Sequence, residues 1–195
     1  DPPIAAAKAG VTTGEWAAQM RQVHGEYRGP TGVAAGRSNK TEGLDDLRDA
    51  VDAVSSRLGR RLSFLVGKPG LDGHSNGAEQ IAVRARDCGM DIAYEGIRLT
   101  PSEIVAAAAN GDHHVVGLSI LSGSHIPLVE DLMIQMREAG LGHIPVIVGG
   151  IIPEEDAKRL RSFGVARVYT PKDFELNTIM QDIVSLADPE TIAAE

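Results

Sequence analysis

Aromatic residues are scarce in this chain, cysteine occurs once, and there is no basic run and no long apolar run. Phe, Trp and Tyr together make up 4% of the 195 residues, so a core has to be built from Ala, Val, Ile and Leu. The single cysteine, Cys88, excludes an internal disulfide and fits a reducing compartment such as the cytoplasm. It falls in a helical pattern and reads as a small helix residue rather than a reactive thiol. No stretch approaches the ~20 apolar residues that span a bilayer, and no basic-then-apolar leader opens the chain. A membrane partner is therefore not expected. Formal charge is −8 without clustered Lys and Arg, which argues against nucleic acid, because neutralising phosphates takes grouped cations. The first residue is Asp1 rather than Met, as in a fragment or processed product.

Glycine, in contrast, is abundant, with 22 copies, many directly after apolar runs where a backbone can approach a ligand closely. The chain divides into an extension, residues 1–60, and a domain, residues 61–195. Thr13 to His24 has helical spacing through Trp16, Met20 and Val23, and residues 25–43 read as a linker or arm rich in Gly, Pro, Ser and Asn. Leu44 to Leu58 is again helical, through Leu47, Val51 and Val54, with Gly59 as its stop. From residue 61, short β-rich runs alternate with helical ones. Strands are expected at Leu62–Val66, Asp91–Tyr94, His114–Ser119, Pro145–Val148 and Arg167–Tyr169. Helices are expected near Gly77–Cys88, Pro101–Asn110, Pro127–Ala139, Pro153–Phe163 and Phe174–Leu186. Thr100-Pro101-Ser102-Glu103 is a capping box with proline at the first helical position. Alternation of this kind predicts an α/β fold with a parallel sheet, and the expected form is flavodoxin-like (Rossmann-like), five-stranded, of order 2-1-3-4-5. A ligand then belongs beyond the carboxyl ends of the strands, near the loops after strands 1 and 3, with the loop after strand 4 beside them.

Those loops hold the unusual residues. After strand 1 comes Gly67-Lys68-Pro69-Gly70-Leu71-Asp72-Gly73-His74-Ser75-Asn76-Gly77, long for a βα connection. After strand 3 comes Ser119-Ile120-Leu121-Ser122, and after strand 4 Gly149-Gly150. A zinc site needs three or four ligands, and His24, His113, His114, His125 and His143 form no ligand-spaced cluster with His74. A nucleophile elbow, a phosphate loop and a dinucleotide fingerprint are all missing. A lone histidine two residues from a carboxylate suits a metal whose other ligands arrive with a cofactor. Asp72 could then accept a hydrogen bond from one ring nitrogen and leave the other for the metal. On its own, the loop suits a histidine that only caps or turns better than it suits a metal ligand.

Asp72-Gly73-His74-Ser75-Asn76-Gly77 resembles the Asp-x-His-x-x-Gly motif of the base-off, His-on cobalamin-binding domains. That family continues with Ser-x-Leu and then Gly-Gly. Here 41 residues separate Gly77 from Ser119-Ile120-Leu121, and 27 separate Leu121 from Gly149-Gly150, gaps similar to those of the acyl-CoA mutases. The resemblance implies that His74 is the lower axial cobalt ligand, with Asp72 behind it. It implies a slot for the displaced nucleotide tail, bordered by Ser119, Leu121, Ser122, Gly149 and Gly150, with Ser119 in reach of the benzimidazole nitrogen. Gly73, Ser75, Asn76 and Gly77 would lie near the corrin or the tail, and Tyr169 and Thr170 near the end of the tail.

Among cobalamin proteins, the run Thr13-Gly14-Glu15-Trp16 and the later Met20 to Arg28 resemble the linker of acyl-CoA mutases. Within these, Gly10 to Trp16, Ala93 to Pro101 and Val168 to Phe174 are most similar to ethylmalonyl-CoA mutases, with methylmalonyl-CoA mutases the nearest alternative. A corrinoid shuttle or a B12 sensor is the non-catalytic alternative. The implied cofactor is adenosylcobalamin. The implied partner is a substrate-binding barrel of ~250 residues, which this chain is too short to contain, in an enzyme expected to be a homodimer. No catalytic acyl-CoA residue is expected here, and the chain alone is expected to be inactive.

Overall fold

The computed structural model describes residues 2–24, 43–71, 73–74, 76–173 and 175–192. Two compact units divide between residues 37 and 38.

The first unit holds two helices, α1 (Pro2–Lys8) and α2 (Thr13–His24). Thr12 and Glu15 cap α2 reciprocally. The Glu15 amide donates to Thr12 Oγ1 at 3.2 Å, and the Thr12 amide donates to Glu15 Oε2 at 2.9 Å. Neither helix buries a residue, and Trp16, Met20 and Val23 stay on the surface as an apolar stripe.

The second unit carries α3 (Leu44–Leu58), β1 (Ser63–Pro69), α4 (Asn76–Asp87), β2 (Asp91–Leu99), α5 (Pro101–Asn110), β3 (Val115–Ile120), α6 (His125–Glu138), β4 (Val146–Gly150), α7 (Glu154–Ser162), β5 (Arg167–Tyr169), α8 (Leu176–Ala187) and the short α9 (Pro189–Ile192). The five strands pair in parallel, as the alternating pattern predicts, and in the expected order β2-β1-β3-β4-β5. Phe64, Val66, Val115 and Ile147 face α3, α4 and α8, while Leu65, Val116, Leu118 and Val148 face α5, α6 and α7. Each strand thus contributes to two cores, which is why β1, β3 and β4 read as continuous apolar runs. The α3 helix lies inside the expected 1–60 extension. Its stripe Leu44, Leu47, Val51 and Val54 is nonetheless buried in the first of these cores. The box predicted at α5 is present, with the Glu103 amide donating to Thr100 Oγ1 at 3.2 Å and the Thr100 amide to Glu103 Oε2 at 2.7 Å.

The main departure from the expected elements is β2, which continues to Leu99 instead of ending at Tyr94. Its extra length pairs with Lys68 and Pro69, which extend β1 beyond Val66. Among the described residues, no helix is long and apolar enough to cross a membrane.

At the amino ends of the strands, His114 Nδ1 accepts from the Ser63 amide at 2.9 Å and His113 Nδ1 meets Ser63 Oγ at 2.8 Å. Burial pushes both imidazoles below the usual histidine range. Glu95 partly opposes this at His113, while Arg60 adds to it at both and His113 adds to it at His114. The native state therefore holds them neutral, whereas the unfolded chain takes up protons from about pH 6.5 downward. Stability is full above that value and is lost as pH falls through it toward the lower folded values. Melting temperature is expected to drop between about pH 7.5 and 5.5, the range that brackets the unfolded value. The drop should shrink in a His113→Asn/His114→Asn variant; an unchanged slope there would remove these histidines from the account.

Candidate functional site

The carboxyl ends of the strands open into two cavities that meet at Leu121. The first, of about 390 Å³, runs down between the sheet and helices α4 and α8. Gly77, Ser119, Leu121, Gly149, Gly150, Tyr169 and Thr170, all expected around a tail, line this one slot. Phe64, Val66 and Ile147 supply its apolar floor. The second cavity, about 670 Å³ and broadly open, has His74, Leu121 and Ser122 on its wall together with Gly70, Leu71 and Leu128.

Alternation of side chains along a strand explains the slot. Val115 and Ile147 belong to the core under α4 and α8, so Gly117, Ser119 and Gly149 project to the same side. Three small residues in adjacent register positions, with Ser119 paired to Gly149, leave a trough where larger ones would fill it. Gly117 belongs to none of the sequence motifs, yet it is required. A Cβ there would come within 2.5 Å of the buried Phe64 ring. Gly77, at the start of α4, is different: a Cβ there would meet nothing within 4 Å, so its missing side chain leaves open space on the slot wall.

The slot carries few polar groups. Tyr169 donates its hydroxyl to Asp182 Oδ2 at 2.8 Å, which fixes the ring as a side wall. Burial, then that bond and the Asp182 charge, push the phenol far above the usual tyrosine range, so it stays neutral. Thr170 donates from its amide and hydroxyl to Asp173 Oδ2 at 2.8 and 3.0 Å, closing the turn at the slot's end. Gly73 and Asn76 line neither cavity; Asn76 begins α4. Asp72, expected behind His74, and Ser75 lie outside the described residues.

Two residues near the rim are not among those expected from the sequence. Lys68 is 1% exposed, and its ammonium donates to the Ser119 carbonyl at 3.2 Å, tying the end of β1 to the end of β3 beneath both loops. The signal for it is a lysine set directly after the apolar run of β1. His125, 4% exposed, contacts Asp156 Oδ2 through Nε2 at 2.8 Å and the Ser122 carbonyl through Nδ1 at 3.3 Å. It thereby holds the loop after β3 against α7. Ser122 and Ser124 also share a 2.7 Å hydroxyl contact. The pairing to Asp156 joins residues 31 apart, and spacing along the chain could not reveal it.

Among the described residues, no group of three or more His, Cys, Asp or Glu side chains is arranged to hold a metal ion. A metal at His74 would have to bring its remaining ligands with it. An exposed histidine beside an open cavity that shares Leu121 with a narrow apolar slot leaves room for the ring and the nucleotide tail that the resemblance implies.

Comparison with known proteins supports that chemistry. The B12 binding domain family matches residues 62–173. The chain is 72% identical to the ethylmalonyl-CoA mutase of Cereibacter sphaeroides over 98% of its own length and 29% of that protein's. It is 56% identical to the ethylmalonyl-CoA mutase of Methylorubrum extorquens over 96% of its length and 27% of that protein's. It therefore spans less than a third of these relatives. Among solved structures, a cobalamin-binding protein from Desulfitobacterium hafniense superposes with a TM-score of 0.55 at 18% identity, covering 85% of this chain and 76% of that one, a likeness of fold.

Proposed function

The chain belongs to the B12-binding domain family, and from that premise we propose that it is the cofactor domain of an adenosylcobalamin-dependent acyl-CoA mutase that interconverts ethylmalonyl-CoA and methylsuccinyl-CoA. The observation that carries the cofactor part of this reading is that the His74 cavity and the glycine-walled slot share Leu121, and the substrate pair rests on the 72% identity to the ethylmalonyl-CoA mutase of Cereibacter sphaeroides.

In this reading His74 would hold cobalt through a ring nitrogen, and Asp72 would orient the ring by accepting from its other nitrogen. Ser119 would donate its hydroxyl to the benzimidazole of the tail. Tyr169 and Phe64 close the slot around an aromatic group and keep water out. Lys68 and His125 hold the loops that carry Ser119 and Ser122. When bound, the cofactor supplies a cobalt–carbon bond that can break homolytically to start radical chemistry. A separate barrel domain, within a homodimeric enzyme, binds the acyl-CoA. The 195-residue chain alone is expected to bind cobalamin without isomerising ethylmalonyl-CoA.

The test is a titration with aquocobalamin followed by electron paramagnetic resonance of the reduced cobalt(II) form. Wild type should show hyperfine coupling to a histidine nitrogen, and His74→Ala should lose it while still taking the tail into the slot. Coupling that persists in His74→Ala would assign the ligand elsewhere. Absence of binding by wild type, alone and with the barrel domain added, would overturn the cofactor reading.

A further inference from the structure

β2 ends in a distortion that the tail slot does not require. The register with β1 shifts on both sides of Lys68, so Lys68 pairs with Ile97 and Pro69 with Leu99, and Arg98 has no partner on β1. Arg98 has φ 64°, alone among the described non-glycine residues in being positive. A side chain with a Cβ is disfavoured in that region, and bulges of this kind re-aim a side chain beside functional sites. Here the bulge turns the guanidinium toward the loop that presents His74. Arg98 Nη2 is the atom nearest to where a Gly73 Cβ would stand, at 3.9 Å. The residue is exposed, and among the described residues its guanidinium has no hydrogen-bond or ion-pair partner. The fold thus holds a five-donor cation, against backbone preference, beside the residue that precedes His74, where nothing described uses it.

Resting on the cofactor reading above, we propose that Arg98 is a corrin-binding residue that donates to carbonyl oxygens of the amide groups on the ring's periphery. The sheet order argues against the phosphate of the tail as its target. β2 is one edge of the sheet, whereas the slot lies toward β3, β4 and β5. The ring, centred over His74, is the part of the cofactor within reach of β2.

Arg98→Gly separates this role from a structural one, because glycine relieves the strain while removing the cation. In the full chain without ligand, its melting temperature should equal or exceed wild type. Its affinity for aquocobalamin should fall about tenfold, the loss of one charge-assisted hydrogen bond. Cobinamide, which has the corrin but no nucleotide tail, should weaken by the same factor. Arg98→Lys, which keeps a donor cation, should recover most of the loss for both. Unchanged affinity in Arg98→Gly overturns the proposal, as does a loss confined to aquocobalamin or a wild type that takes aquocobalamin but not cobinamide. A wild type that binds neither, alone and with the barrel domain added, overturns the cofactor reading itself.

Discussion

Replacing Gly149 by valine is expected to weaken cobalamin binding by about a hundredfold while leaving melting temperature unchanged or raised. Gly149 lines the slot, and a Cβ built there would meet only the Leu118 carbonyl at 3.9 Å, an ordinary contact. The protein therefore has room for the side chain. Valine also suits a strand better than glycine does, on a scale spanning ~1 kcal/mol. Its two methyl groups would stand in the trough formed with Gly117 and Ser119, which in this reading is the space of the tail's base. Overpacking a fitted site costs ~1–3 kcal/mol, and the upper end corresponds to about a hundredfold in Kd. Isothermal titration of both proteins with aquocobalamin, alongside thermal melts, decides the matter. Equal affinity with equal stability would mean that the tail does not occupy this slot.

The adjacent glycine should behave in the opposite way. Gly150→Ala is expected to lower stability by ~3 kcal/mol, or about 10 °C in melting temperature for a unit of this size, whether or not a ligand is present. A Cβ on Gly150 would lie 1.9 Å from the Ile120 carbonyl oxygen and 2.9 Å from its carbon. These are backbone atoms of the paired strand, and Gly150 is the partner of Ile120 at the last rung of the β3–β4 ladder. Relief needs the strands to part there rather than a side chain to swing away. Thermal melts of the unliganded variant read the effect directly. A variant as stable as wild type would show that the end of β4 is free to move, and that Gly150 serves the ligand instead.

The two glycines illustrate how far the sequence could be read. Their place after the fourth strand followed from the alternating pattern, and their order behind the histidine loop and Ser119-Ile120-Leu121 drew notice through the resemblance to cobalamin-binding domains. That one serves the slot and its neighbour serves the fold depends on which way each Cβ points across the sheet. Gly117 shows the same limit from the other side. In the sequence it is one more glycine in an apolar strand; only its place over the Phe64 ring makes it necessary.

The sequence by itself determined the alternation of strands and helices, the parallel pairing this implies, the capping box at Thr100, and, for a flavodoxin-like sheet, the loops that hold a site. These follow from periodicity and from turn and cap chemistry, which are local along the chain. Only the tertiary structure decided that α3 belongs to the same core as α4 and α8, and that Lys68 and His125 hold the rim. It also decided that β2 ends in a bulge aimed at the histidine loop. Each of these depends on side chains far apart in sequence meeting across a particular register. A local pattern fixes what an element is and which face it buries; what that face meets is set by how the elements pack.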